Sequence, residues 1–311
     1  MMRLKEAAAA MAGELHGEDR TLLGVSTDTR GIAHGELFFA LKGERFDAVQ
    51  FIDRAFTGGA VAAVVGRDSL PVRPADGPLI VVDDARVALG RLAAYWRSRF
   101  TMPLVGLTGS NGKTTVKDMI AAILGMHCAD RSRVLATEGN LNNDIGLPLT
   151  LLRLREDHRY AVIEMGMNHA GEIRYLTGLA RPDVALVNNA GTAHIGLLGS
   201  RDAIAHAKGE IYEGLSREGT AIVNADDPYA QLWRGQNAGR NVVDFGLVSP
   251  ARVTGRYTGH ALSSEIVLTT PAGQAQFTLG LPGVHNVCNA LAAAAAGFAL
   301  AVPTALIAKA L

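Results

Sequence analysis

Val105-Gly106-Leu107-Thr108-Gly109-Ser110-Asn111-Gly112-Lys113-Thr114-Thr115 decides how the rest of this 311-residue sequence is read. A short apolar run ends in a glycine-rich polar turn, and a helix-forming stretch follows at once. That is the context of a phosphate-binding loop. Glycines let backbone N–H groups turn toward phosphate oxygens, and the start of a helix adds partial positive charge. On this reading Thr108, Gly109, Ser110, Asn111, Gly112 and Thr115 line the cradle. Lys113 reaches the β- and γ-phosphates, and the Thr114 hydroxyl faces Mg²⁺. The strict pattern has a glycine five residues before Gly112, where Leu107 stands; Gly106 makes this a variant loop. A glycine-rich turn with a chance lysine is the alternative.

Outward from the loop, apolar strands are expected at 104–107, 134–136, 160–164, 184–187, 221–224 and 242–245. Helices are expected between them, notably at 114–126, 203–213 and 286–300. Near-continuous apolar strands alternating with helices signal a parallel sheet covered on both faces. Residues 252–281 lack helical periodicity and read as a small antiparallel addition. Upstream, strands are expected in LLGVSTDTR (22–30), GELFFALKG (35–43), AVAAVVG (60–66) and PLIVVDDAR (78–86). Helices are expected in FIDRAFTGG (51–59) and VALGRLAAYWRSRF (87–100). RSRFTMP (97–103) breaks the pattern, which puts a boundary near residue 100: a smaller α/β domain over 1–100, then an α/β P-loop domain over 101–311.

Composition narrows the function classes. Thirty Lys+Arg balance thirty Asp+Glu, with 48% hydrophobic and 19% charged residues. This suits a globular chain and argues against a nucleic-acid partner bound by broad phosphate neutralisation. Cys128 and Cys288 make no disulfide framework and no zinc spacing. The N-terminal stretch carries Lys5, Glu6 and Glu14, as an amphipathic helix does and a signal peptide does not. The longest uncharged apolar run, 290–302, is short of the ~20 residues that span a bilayer. A soluble, cytoplasmic, monomeric protein without membrane insertion is expected.

A P-loop needs a carboxylate at the end of a neighbouring strand to help hold metal. Tyr160-Ala161-Val162-Ile163-Glu164 supplies one, although a lone Glu there is more often a surface or capping residue. The run 184–187 leads to Asn188-Asn189-Ala190-Gly191-Thr192-Ala193-His194, and loops after strand C-termini are where open α/β sheets bind ligands. His194 reads as a metal ligand, a phosphate contact or a plain loop histidine. Lys208 is a helical lysine, a type usually solvated. Asn140 and Asn143, in the amide-rich GNLNNDIGLP (139–148), suit a polar substrate, or form a turn before a helix near Pro148. Asn286 or Asn289 caps the Ala-rich helix, or Asn286 reads a base. Ser26, Asp28, Thr29 and Arg30 mix hydroxyls and charge at a strand end. They suit a nucleotide diphosphate, and equally a simple turn.

Taken in order, TGSNGKTT (108–115), GNLNNDIGLPLTLL (139–152), EMGMNHAGEI (164–173), NNAGTAH (188–194), AKGEIYEGL (207–215), NADDP (224–228) and GVHNVCNALAA (283–293) resemble the Mur ligase family. STDTR and ALKGERFD extend the resemblance upstream. The resemblance implies an ATP-dependent amide ligase of peptidoglycan precursor synthesis. LNNDIG and EMGMNHAGEI favour the branch that joins D-Ala-D-Ala to UDP-MurNAc-tripeptide. By resemblance, Lys113 is the γ-phosphate lysine, Thr114 and Glu164 hold one Mg²⁺, and His194 holds a second. Lys208 matches a lysine carbamylated in several relatives. Asn286 resembles the adenine-contacting asparagine, and Ser26, Asp28, Thr29 and Arg30 part of the UDP site. The family also has a C-terminal Rossmann-like domain, so a truncated form with little or no turnover is expected. Rival readings are a folylpolyglutamate-synthase-like ligase, which lacks a separate domain ahead of its P-loop, and a P-loop nucleotide-binding module without ligase chemistry.

Overall fold

Residues 1–43, 47–70, 76–193 and 195–311 are described by the computed structural model. The chain divides into two compact units, Met1–Phe100 with Asp144–Leu154, and Thr101–Asn143 with Arg155–Leu311.

The first unit runs β1 (Met2–Arg3), α1 (Leu4–Met11), β2 (Glu14–His16), β3 (Thr21–Leu22), β4 (Gly24–Ser26), β5 (Glu36–Phe39), α2 (Ile52–Thr57), β6 (Ala62–Gly66), β7 (Leu79–Val82) and α3 (Ala85–Arg97). Strands β1 and β3 form a short antiparallel pair; the others order as β2-β7-β6-β5-β4, parallel except for β2. Alternation sorts the side chains of the parallel strands. Phe38, Ala63, Val65 and Val81 pack against Ile52 and Ala55 of α2. Helix α3 starts where Asp84 accepts the N–H groups of Arg86 and Val87 at 2.7 and 2.9 Å, an N-cap that the DDAR sequence provides.

The second unit runs β8 (Leu104–Thr108), α4 (Lys113–His127), β9 (Val134–Ala136), then α5 (Gly146–Leu151) on the stretch that belongs to the first unit, and β10 (Tyr160–Glu164). It continues with α6 (Glu172–Ala180), β11 (Val184–Val187), α7 (Ile195–Leu198), α8 (Arg201–Gly209), β12 (Thr220–Asn224), α9 (Ala230–Gln236) and β13 (Asn241–Gly246). Last come β14 (Val253–Gly259), β15 (Ser264–Thr270), β16 (Gly273–Leu279), α10 (Val284–Ala299) and α11 (Thr304–Ala310). Among the described residues the strands form one nine-stranded sheet, β16-β15-β14-β13-β12-β11-β8-β10-β9. It is parallel from β9 to β14, and β14–β16 pair antiparallel. The α/β class and the mostly parallel, helix-covered sheet follow the reading of the sequence, as does the antiparallel addition at 252–281.

Strand order reverses at β8. The chain leaves it for β9 and β10 on one side and then crosses to β11 on the other. Such a switch point opens a crevice at the strand C-termini. All five residues of β8 are buried, and α4 and α10 pack together over one face of the sheet. The tightly packed alanines 292–296 of α10 let the helices approach closely.

The excursion into the first unit has its own fastenings. Arg86 Nε lies 2.7 Å from Asp144 Oδ2, and the Trp96 indole N–H donates to the Leu154 carbonyl at 3.0 Å. No composition shift marks this return in the sequence.

Candidate functional site

The P-loop forms where the sequence puts it. Strand β8 ends at Thr108, and Gly112 stands at the N-cap of α4 with φ of 77°. A Cβ there would lie 2.5 Å from Asn289 Oδ1, so glycine is required both by the left-handed backbone and by space. The loop is held by the asparagines after β11. Asn189 Oδ1 accepts the N–H groups of Ser110 and Asn111 at 3.1 and 3.0 Å. The Asn188 and Asn189 amides donate to the Asn111 carbonyl at 3.0 and 3.1 Å. Gly191 N–H donates to Ser110 Oγ at 2.9 Å. Gly109 packs against Asn188, and Thr115 follows on the first turn of α4. The Thr108 hydroxyl is buried without a hydrogen-bond partner among the described residues.

Lys113 donates to the Gly109 carbonyl at 3.0 Å, folded back over its own loop. Burial pulls its pKa below the ordinary lysine value, and the Glu164 charge opposes that shift. Glu164, 2% exposed at the end of β10, has both carboxylate oxygens engaged. Thr114 Oγ1 donates to Oε2 at 3.1 Å, and Asn142 Nδ2 donates to Oε1 at 2.7 Å. A threonine hydroxyl and a carboxylate are hard oxygen donors of the kind Mg²⁺ prefers, and that ion takes only one or two carboxylates. Among the described residues no group of three or more His, Cys, Asp or Glu gathers for a metal. The Thr114 hydroxyl and the Glu164 carboxylate fit an Mg²⁺ that takes its other oxygens from phosphate and water. His194 lies outside the described residues.

Lys208 is not the solvated helical lysine its type suggests: it is 2% exposed at the end of α8. Burial first, and then the like charge of Lys113, push its pKa down to about 7. The rest of its motif is structural. The Glu210 carboxylate accepts the N–H groups of Gly171 at 2.9 and 3.0 Å and of Arg174 at 3.1 Å, capping α6. The Tyr212 hydroxyl donates to the Ile222 carbonyl at 2.8 Å.

The NADDP turn supports the P-loop at one remove. Asn224 Nδ2 donates to the Asn188 carbonyl at 2.9 Å. Asp227, buried, accepts Ala190 N–H at 2.9 Å and Tyr229 N–H at 3.0 Å. Asp227→Ala strands two N–H groups and is expected to destabilise the chain by about 2–3 kcal/mol, read as a lowered urea midpoint.

Other expected site residues stand as follows. Helix α10 begins at Val284 after an N-cap at Gly283, so neither Asn286 nor Asn289 caps it. Asn286 donates to the Pro282 carbonyl at 2.9 Å, and Asn289 donates to Asn286 Oδ1 at 3.3 Å. Asn289 Oδ1 also accepts from Asn188 at 3.0 Å, which ties α10 to the P-loop. Asn140 and Asn143 are exposed, and the asparagine that reaches Glu164 is Asn142. Adjacent amides in one loop carried no signal to separate them. In the first unit, Ser26 Oγ accepts Asp28 N–H at 3.1 Å, and Thr29 is half-buried between the charged pair. Asp28 holds Arg30 through Nε at 3.0 Å and Nη2 at 2.6 Å. The Arg30 guanidinium holds the Asp28 carboxyl down to about 2. ALKGERFD extends into residues 44–46, outside the described residues.

Residues 107–297 match the Mur ligase middle domain, and residues 21–97 match the catalytic domain of the Mur ligase family. The chain belongs to the Mur ligase family. It is 48% identical over 297 residues to the UDP-N-acetylmuramoyl-tripeptide–D-alanyl-D-alanine ligase of Escherichia coli, covering 94% of this chain and 63% of that protein. Against the Bacillus subtilis ligase of the same name, identity is 43%, with 90% of this chain and 59% of the relative covered. A crystal structure of MurF from Acinetobacter baumannii superposes with a TM-score of 0.90 at 38% identity, over 99% of this chain and 67% of that one. MurF ligase from Thermotoga maritima, in complex with ADP, gives a TM-score of 0.80 at 27% identity, over 92% of this chain and 65% of that one. This Mur ligase chain thus spans roughly three-fifths of the curated relatives it matches, 63% and 58% for the first two. Among the described residues, no helix of the Mur ligase chain is long and apolar enough to cross a membrane.

Proposed function

We propose that this chain carries the UDP-substrate and nucleotide sites of an ATP-dependent ligase that joins D-Ala-D-Ala to UDP-MurNAc-tripeptide. The observation that carries the reading is the bridge from Thr114 on the P-loop helix to Glu164 on the neighbouring strand, at 3.1 Å. The tripeptide's terminal carboxylate attacks the γ-phosphorus of ATP, giving an acyl phosphate and ADP. The D-Ala-D-Ala amine attacks the acyl carbon and loses a proton, and phosphate leaves as the amide forms. Mg²⁺ on Thr114 and Glu164 supplies charge that offsets repulsion between carboxylate and γ-phosphate.

The chain's own groups do the positioning. Lys113 exchanges the Gly109 carbonyl for a phosphate oxygen, which its reach from the start of α4 permits. Lys208, with its pKa near 7, presents a substantial fraction of neutral amine at neutral pH. That is the form that adds CO₂ to give a carbamate, an anion suited to a site holding divalent ions. His194 is assigned to a second Mg²⁺ and Asn286 to adenine. Ser26, Asp28, Thr29 and Arg30 in the 1–100 domain are assigned to the UDP end, and Asn140 and Asn143 to polar groups of the substrate. The nucleotide domain is assigned to residues 101–143 and 155–311.

Thermal-shift measurements on the 311-residue chain test the proposal. Stabilisation is expected separately from ADP with Mg²⁺ and from UDP-MurNAc-tripeptide, about 2.7 kcal/mol at one hundred times Kd. A shift with nucleotide and none with the UDP substrate would leave a P-loop binding module instead.

A further inference from the structure

We infer that Lys117, outside the P-loop motif, is a positioning residue that sets where Glu164 presents its carboxylate. The inference rests on the reading above, in which Glu164 faces a nucleotide-bound Mg²⁺.

The argument begins with the ladder between β9 and β10, where Ala136 lies opposite Val162. One further regular bond follows, from Thr137 N–H to the Val162 carbonyl at 3.0 Å. The next bond of a parallel ladder would run from Glu164 N–H to the Thr137 carbonyl. It does not form. Glu164 N–H donates instead to the Thr137 hydroxyl at 2.9 Å, and the Thr137 carbonyl accepts from Lys117 Nζ, also at 2.9 Å. A side-chain oxygen stands in for the backbone oxygen, and the carbonyl is given to the lysine instead.

The three residues are buried: Lys117 is 5% exposed, Thr137 1% and Glu164 2%. Lys117 makes one ion pair among the described residues, with the largely exposed Asp118 at 3.1 Å. Burying an ammonium with so little compensation is costly, and a methionine of similar length would fill the space without that cost. The amine's contribution is therefore the bond it makes. Lys117 lies four residues after Lys113, hence on the same face of α4 one turn deeper. It acts on the backbone end of Glu164, while Thr114 and Asn142 orient the carboxylate oxygens. Together these contacts fix both ends of one side chain before any ligand arrives.

Fluorescent ADP is titrated into the 311-residue chain in excess Mg²⁺ and again in EDTA. Wild type is expected to bind more tightly with Mg²⁺. Lys117→Met and Thr137→Val are each expected to lose about tenfold in affinity with Mg²⁺, the size of effect usual for outer-shell partners of metal ligands, with EDTA affinity unchanged. Equal losses in both conditions would indicate a purely structural contribution and overturn the inference. So would a Thr137→Val chain that matches wild type in Mg²⁺. If Lys117→Met does not fold, Thr137→Val decides. Wild type with no Mg²⁺-dependent ADP binding would overturn the nucleotide reading and this inference with it. Wild-type binding that both variants reproduce overturns the inference alone.

Discussion

Glu164→Gln is expected to remove Mg²⁺-dependent nucleotide binding while leaving the fold in place. The substitution is nearly isosteric, and the hydrogen bonds around Glu164 can accommodate it. The amide oxygen can take the place of Oε1 and accept from Asn142 Nδ2, now at 2.7 Å. The amide nitrogen then faces Thr114 Oγ1, a hydroxyl that accepts as readily as it donates. No buried donor is stranded, so the urea midpoint should move little. What disappears is the negative charge in a site where burial keeps electrostatic interactions strong. A loss of about 100-fold in nucleotide affinity with Mg²⁺, or about 2.8 kcal/mol, is expected by calorimetry, against little change in EDTA. An affinity in Mg²⁺ equal to wild type would remove Glu164 from the metal site.

Gly112→Ala should damage both stability and binding. The residue has φ of 77°, where a Cβ costs roughly 1 kcal/mol. The added methyl would sit 2.5 Å from Asn289 Oδ1 and 3.0 Å from Asn188 Nδ2. Those atoms are hydrogen-bonded to each other at 3.0 Å, so neither moves without loosening the link between α10 and the P-loop. Overpacking of this kind costs typically about 1–3 kcal/mol. A total near 2–4 kcal/mol is expected in urea unfolding, together with at least about tenfold weaker ADP binding as the loop amides shift. Ordinary stability with lost binding would place the damage in the loop alone.

Much of the candidate site was legible because its chemistry is local. A strand, a glycine turn and a helix start must be contiguous to cradle a phosphate, so 105–115 announces itself. Glu164 was legible for a related reason: it is the acid that ends an apolar run. The NADDP turn shows where legibility stops. Asp226 and Asp227 are neighbours of identical chemistry. Asp226 accepts the N–H groups of Leu247, Val248 and Ser249, whereas Asp227 reaches Ala190 across the sheet. Asn140, Asn142 and Asn143 divide in the same way, with only Asn142 on the carboxylate. Nothing in residue type or spacing separates such neighbours, because the difference lies in which backbone is packed opposite each.

The sequence by itself determined the α/β alternation, the P-loop and its helix, and the family to which the ordered motifs belong. These depend on periodicity, turn chemistry and spacing along the chain. Tertiary structure alone decided that Lys208 and Lys117 are buried, that Thr137 offers its hydroxyl to Glu164, and that residues 144–154 belong to the first unit. Burial and ladder register arise between segments far apart in the chain. Burial lowers the pKa of Lys208, and the register brings the Glu164 N–H to the Thr137 hydroxyl.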